Sequence, residues 1–125
     1  MLSFTRLASV ASLVALASAQ NNTGTLFNFI PGLGACGLTN TSDQSVASVS
    51  QTIFSTFPGA TANPNDNPIC THNVTITSNG TTVTAQIVDF CPTCDEFRIG
   101  LSPGAFAAFA PPSDGIVANV TWSID

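Results

Sequence analysis

Tyrosine and lysine are absent from the 125-residue chain, methionine and tryptophan occur once each, and charged residues make up only 7% of it. The basic side chains are Arg6, Arg98 and the titratable His72. A surface this poor in cations cannot neutralise a row of phosphates, which excludes nucleic acid and anionic membranes as partners. Scarcity of Glu, Lys, Arg and Met removes the good helix formers, while Thr, Val, Ile and Phe are plentiful, so a mainly β fold is expected. Beyond the N-terminus no apolar run approaches the roughly 20 residues a membrane span requires.

The N-terminus is the exception. Arg6 precedes an apolar run from Leu7 to Ala17, followed by the small triplet Ala17-Ser18-Ala19. This is the pattern of a secretory signal peptide over residues 1–19, cleaved after Ala19. The remainder, 20–125, is one domain's worth of chain with a single core, expected to be a secreted monomer in the extracellular space or cell wall. Removing Arg6 leaves Arg98 facing seven carboxylates: Asp43, Asp66, Asp89, Asp95, Glu96, Asp114 and Asp125. Asn-x-Ser/Thr sequons at Asn21, Asn40, Asn73, Asn79 and Asn119 mark candidate glycosylation sites, each of which must face solvent if occupied.

Along the chain, Thr23 to Phe29 reads as a first strand closed by the loop Pro31-Gly32-Leu33-Gly34. Ser45 to Ser50 is a second strand running into a helical turn over 51–57, stopped by Pro58-Gly59, and 61–68 is a polar loop. His72 to Thr77 and Thr82 to Phe90 flank Asn79-Gly80, the pair best suited to positive φ, and predict a hairpin. In the returning strand Val83, Ala85, Ile87 and Asp89 share one parity, so Asp89 continues an apolar row. A carboxylate there either faces a cleft or is buried with hydrogen-bond partners. Ser102-Pro103 predicts a helix start with the serine as N-cap, presenting Phe106 and Phe109 on one face. Gly115 to Ile124 is the last strand, its core row predicted as Ile116, Ala118, Val120, Trp122 and Ile124, with Trp122 packing in the interior rather than serving as a ligand platform.

Cys36, Cys70, Cys91 and Cys94 allow three pairings, and spacing does not choose between them. Cys91-Pro92-Thr93-Cys94 admits a redox reading, and with Cys36, Cys70 and His72 a zinc reading. Secretion and the absence of a strand-helix-strand unit favour structural disulfides over both, so neither metal nor cofactor is expected.

Six segments, taken in order, carry a resemblance: Gly24-Thr25-Leu26-Phe27-Asn28-Phe29, the Gly32 to Asn40 stretch around Cys36, Asn67-Pro68-Ile69-Cys70, Val88-Asp89-Phe90-Cys91-Pro92-Thr93-Cys94, Leu101 to Phe106, and Val120-Thr121-Trp122-Ser123. Together they resemble the RlpA-like double-psi β-barrel family, which groups with barwin and the first domain of expansins and includes small fungal loosenin-like proteins. The resemblance implies a six-stranded double-psi β-barrel with one or two short helices and two disulfides, Cys36 to Cys70 and Cys91 to Cys94. It also implies a shallow polysaccharide groove in which Asp89 matches the conserved acid of expansins and related endoglucanases.

Hydrolysis by inversion needs a second carboxylate about 6.5 to 9.5 Å from the first. The first strand, where related enzymes carry that base, holds no acid in this chain, and Asp95 and Glu96 read as solvated turn residues. The expected function is therefore an expansin-like or loosenin-like protein that binds cell-wall β-glucan or chitin without cutting it, through Asp89, Thr25, Phe27, Thr39 and His72. The alternative is a secreted protein-binding factor, a protease inhibitor or host-interaction effector, using the loop 61–67. A second alternative is a weak endoglucanase-like hydrolase using Asp89.

Overall fold

The computed structural model describes residues 21–125; the signal peptide expected over 1–19 lies outside the described residues. Six strands close into a mixed barrel in the order β1-β5-β2-β4-β3-β6, where β1 is Asn22–Asn28, β2 Val46–Ser50, β3 Asn73–Ser78, β4 Thr81–Cys91, β5 Ile99–Leu101 and β6 Ile116–Ile124. The pairs β1/β5 and β2/β4 are parallel and the other four antiparallel. Two short helices, α1 (Gln51–Thr56) and α2 (Pro103–Phe106), cover the barrel. This is the six-stranded double-psi barrel that the ordered motifs imply.

The β3–β4 hairpin turns at Asn79 and Gly80, with φ of 49° and 79°, the positive values that a two-residue turn matched to strand twist demands. Inward-facing Leu26, Val49, Val74, Ile76, Ala85, Ile87, Ile99, Leu101 and Val120 fill the barrel, and Trp122, 1% exposed, is its largest member. The indole N–H of Trp122 donates to the Phe97 carbonyl at 3.0 Å, so the one polar atom of the ring is satisfied in the interior. Phe54 from α1 and Phe106 from α2 close the core from outside the sheet.

Four expectations are corrected by the structure. In β6 the register against β1 jumps between Gly24↔Val120 and Leu26↔Val117, and Asn119 takes a φ of 59°. That extra residue reverses the parity, so Val117 packs on the core while Ile116 is 50% exposed and Ala118 faces solvent. In β4 the register against β2 jumps from Ala47↔Ile87 to Ser48↔Asp89, leaving Val88 as the bulged residue and taking Asp89 out of the apolar row. Ser102 is the N-cap residue of α2 with Pro103 at its start, as expected, but its side chain makes no capping bond; the hydroxyl accepts from Val46 N and donates to the Gln44 carbonyl, pinning the start of β2 instead. Finally, β5 is a strand where none was predicted, because three residues carry too little periodicity to be seen and are held by partners on both sides.

The disulfides are Cys36–Cys70 and Cys91–Cys94, and no described cysteine is free. Cys36–Cys70 closes a loop with a sequence separation of 34. On loop-entropy grounds the Cys36→Ala/Cys70→Ala double variant should lose about 3–4 kcal/mol of unfolding free energy in urea titration. A loss under about 1 kcal/mol would show that the denatured chain is already restricted there.

Candidate functional site

The ladders place Asp89 (β4), Ser48 (β2), Gly100 (β5) and Phe27 (β1) in one row across four adjacent strands, through the pairs Ser48↔Asp89, Ser48↔Gly100 and Phe27↔Gly100. The neighbouring rows, Ile87–Ala47–Leu101 and Phe90–Val49, turn toward the core, so this row lies on the outer face. Gly100 is required there: a Cβ on it would come within 2.6 Å of the Phe27 ring, which lies across the strand. The Arg98 guanidinium sits 5.3 Å from the centroid of that ring, within cation–π range. Phe27 and Arg98, with Cys91, Thr93, Cys94 and Asp95, line an open groove of about 530 Å³.

Asp89 is half-buried, and its carboxylate has a clear task. Oδ1 accepts from Ala35 N at 3.1 Å and Phe90 N at 2.8 Å, so the acid caps a loop that crosses the barrel wall. Among the described residues no hydrogen bond or ion pair joins it to another titratable side chain. Thr25 shares the outer face of β1 with Phe27, since buried Leu26 between them points inward. Thr39 is exposed on the loop and bridges Leu33. His72 stands apart, at the start of β3 on the flank of β4 away from β2. Its Nδ1 lies 2.6 Å from the Asp125 carbonyl oxygen, and its ring packs edge-on against Phe57 at 4.9 Å. Asp89, Thr25 and Phe27 thus share one outer face of the barrel, whereas Thr39 belongs to a loop and His72 to another side.

The sequence marks the loop between β1 and β2 at Pro31-Gly32-Leu33-Gly34 but not how firmly it is held. Its backbone is tied by Gly34 N to Leu38 O at 3.0 Å, Asn40 N to Gly32 O at 3.0 Å and Cys36 N to Val88 O at 3.1 Å, and by the Cys36–Cys70 bridge. Gly34 lies against the Val88 carbonyl so closely that a Cβ would approach to 2.4 Å. In the following turn the Thr41 hydroxyl donates to Asp43 and holds that carboxyl below its ordinary pKa. On this fixed frame Ile30, Leu33 and Leu38 remain 67%, 76% and 45% exposed. Three exposed aliphatic side chains on one hydrogen-bonded loop offer apolar surface to a partner.

The 61–67 loop is its neighbour. A Cβ on Gly37 would meet the Asn65 side chain at 2.9 Å, and the Cys36–Cys70 bridge joins the two segments. Asn67 is buried, donating through Nδ2 to the Phe54 carbonyl at 2.7 Å and accepting from Ile69 N at 3.0 Å, which fixes the loop's end. Between this loop and α1 lies a cleft of about 220 Å³ over the Phe54–Phe90 pair.

No family model matches the chain. The disulfide-bonded barrel puts it among the double-psi barrel proteins: it superimposes on the expansin of Clavibacter michiganensis, both free and as a mutant in complex with cellohexaose, with a TM-score of 0.66 over 85% of this chain and 50% of that one. At 19% identity that likeness shows the fold alone. The Streptomyces papain inhibitor is nearer, with a TM-score of 0.76 and 33% identity over 85% of this chain and 94% of that one. A papain inhibitor of Streptomyces mobaraensis is 37% identical over 93 residues, which make up 73% of this chain and 62% of that protein, so the chain spans less than two thirds of its length. The chain belongs to the family of the Streptomyces papain inhibitor. This overturns non-hydrolytic polysaccharide binding as the leading expectation, because the greater likeness lies with an inhibitor and the expansin shares only the barrel.

Replacing the carboxylate tests its structural task. Asp89→Ala should lower the unfolding free energy by about 1–3 kcal/mol, the usual worth of hydrogen bonds to a charged acceptor, and should speed amide exchange at Ala35. An unchanged urea midpoint with unchanged exchange would show that the loop holds its place without the acid.

Proposed function

We propose that this chain is a proteinaceous inhibitor of papain-like cysteine proteases, and that it docks through the β1–β2 loop with the 61–67 loop beside it. The single observation that carries the reading is the 37% identity to a papain inhibitor over 93 residues. Loop geometry supports it. Binding a flexible segment costs ordering free energy at each immobilised residue, whereas this loop is already held by three backbone bonds and a disulfide. Burying Leu33, 76% exposed, in a substrate cleft then contributes up to about 1.5–3 kcal/mol and Leu38, 45% exposed, roughly half as much, with little entropy lost elsewhere. Occupying the cleft excludes substrate from the thiolate nucleophile, so inhibition requires no chemistry on the inhibitor's part.

The role foreseen for the 61–67 loop shifts accordingly. It buttresses Gly37 through Asn65 and adds its own polar edge, while the aliphatic anchors come from the β1–β2 loop. Papain assayed with a peptide substrate should lose activity as the folded, disulfide-intact protein is added. Leu33→Asp and Leu38→Asp should each weaken inhibition about tenfold or more, the effect of losing an interface anchor. Full papain activity at large inhibitor excess would refute the proposed function. Undiminished inhibition by both variants would refute the docking loop while leaving the activity standing.

A further inference from the structure

We propose that Asn79 and Asn119 carry N-linked glycans, and that the sequon at Asn40 stays unmodified. The proposal stands on the fold and is independent of protease inhibition. Among the described residues two non-glycine residues have positive φ, and they are these two asparagines, Asn79 in the hairpin turn and Asn119 at the β6 bulge. Each is exposed, and each is followed two positions later by a threonine, Thr81 and Thr121. A turn and a bulge each take the residue out of the regular ladder, and both side chains face solvent, as a bulky hydrated substituent requires.

The β3–β6 ladder ends at Thr77↔Thr121, two residues short of each acceptor, so neither asparagine is held in that pairing. Asn79 stands far from the β1–β2 loop, because β4 runs from Thr81 beside the hairpin turn to Asp89 beneath that loop. At about 3.3 Å per residue that is roughly 25 Å. Asn119 lies elsewhere, exposed between Val117, opposite Leu26, and Val120, opposite Gly24.

Asn40 contrasts on each count. It is half-buried, its Nδ2 donates to Gln44 Oε1 at 3.1 Å, and its Oδ1 is buried without a hydrogen-bond partner. A sugar on Nδ2 would have to emerge from a packed side chain in the loop frame. The modification itself is a glycosyl transfer from a polyprenyl-diphosphate oligosaccharide. The asparagine amide nitrogen forms a bond to the anomeric carbon, the bond from that carbon to the diphosphate oxygen breaks, one amide proton is lost to base, and the lipid diphosphate leaves.

The full chain should be secreted from a yeast host and mapped by peptide mass spectrometry before and after peptide-N-glycosidase treatment. Glycopeptides are expected at Asn79 and Asn119, with Asn40 recovered unmodified. Thr81→Ala and Thr121→Ala, which keep both asparagines in their turns, should each remove one glycan by gel mobility. Unmodified Asn79 and Asn119 peptides in the secreted protein, or a glycan at Asn40, would overturn the proposal.

Discussion

The bulged Val88 is the constraint on which the rest of the molecule depends. Where β2 pairs with β4, the extra residue withdraws one carbonyl from the ladder, and that carbonyl accepts from Cys36 N instead. The same step moves Asp89 out of the apolar row, so its carboxylate can cap Ala35 N. A side-chain-free Gly34 completes the contact, because any Cβ would collide with the Val88 oxygen. One irregularity in the sheet therefore seats a whole loop on the barrel wall, and the Cys36–Cys70 bridge then ties that loop to its neighbour.

The consequence for function is a division of labour between wall and loop. The acid that a hydrolase would use for proton transfer accepts two backbone N–H groups, and the outer row from Asp89 to Phe27 is occupied in part by the Phe27 ring resting on Gly100. Leu33, Leu38 and Ile30 by contrast stay exposed on a loop held by its own backbone hydrogen bonds. The same barrel supports a cellohexaose complex in a Clavibacter expansin and papain inhibition in Streptomyces proteins, so fold alone does not decide between them.

Much of the fold was legible in the sequence. Asn79-Gly80 announced its hairpin because few residue pairs tolerate two positive φ values, and the helical turn over 51–57 was marked by the proline and glycine that end it. What escaped was everything that breaks a constant period. Alternation counted through Val88 and through Ala118-Asn119 put Asp89, Ile116 and Ala118 on the wrong face, since a bulge reverses parity without leaving a compositional trace. The three residues of β5 are strand only by virtue of β1 and β2. Of the candidate site, Thr25, Phe27 and Asp89 could be placed together through the ordered motifs, but His72 is drawn to Phe57 and the Asp125 carbonyl by contacts across long sequence separations. Exposure of Leu33 and Leu38 was equally invisible, because an apolar residue in a loop looks the same whether it folds inward or stays outside.

The strand order carries one further consequence. β1 finds both of its partners, β5 and β6, in the last third of the chain, and β2 joins the distant β4 and β5 rather than its neighbours in sequence. Only the β3–β4 hairpin is a local pairing, so a nascent polypeptide can join β2, β3 and β4 once Cys91 has emerged but cannot close the barrel until β5 and β6 follow. Such high contact order makes for slow folding, on the scale of milliseconds to seconds, and leaves β1 unpaired until β5 arrives and the barrel open until β6 follows.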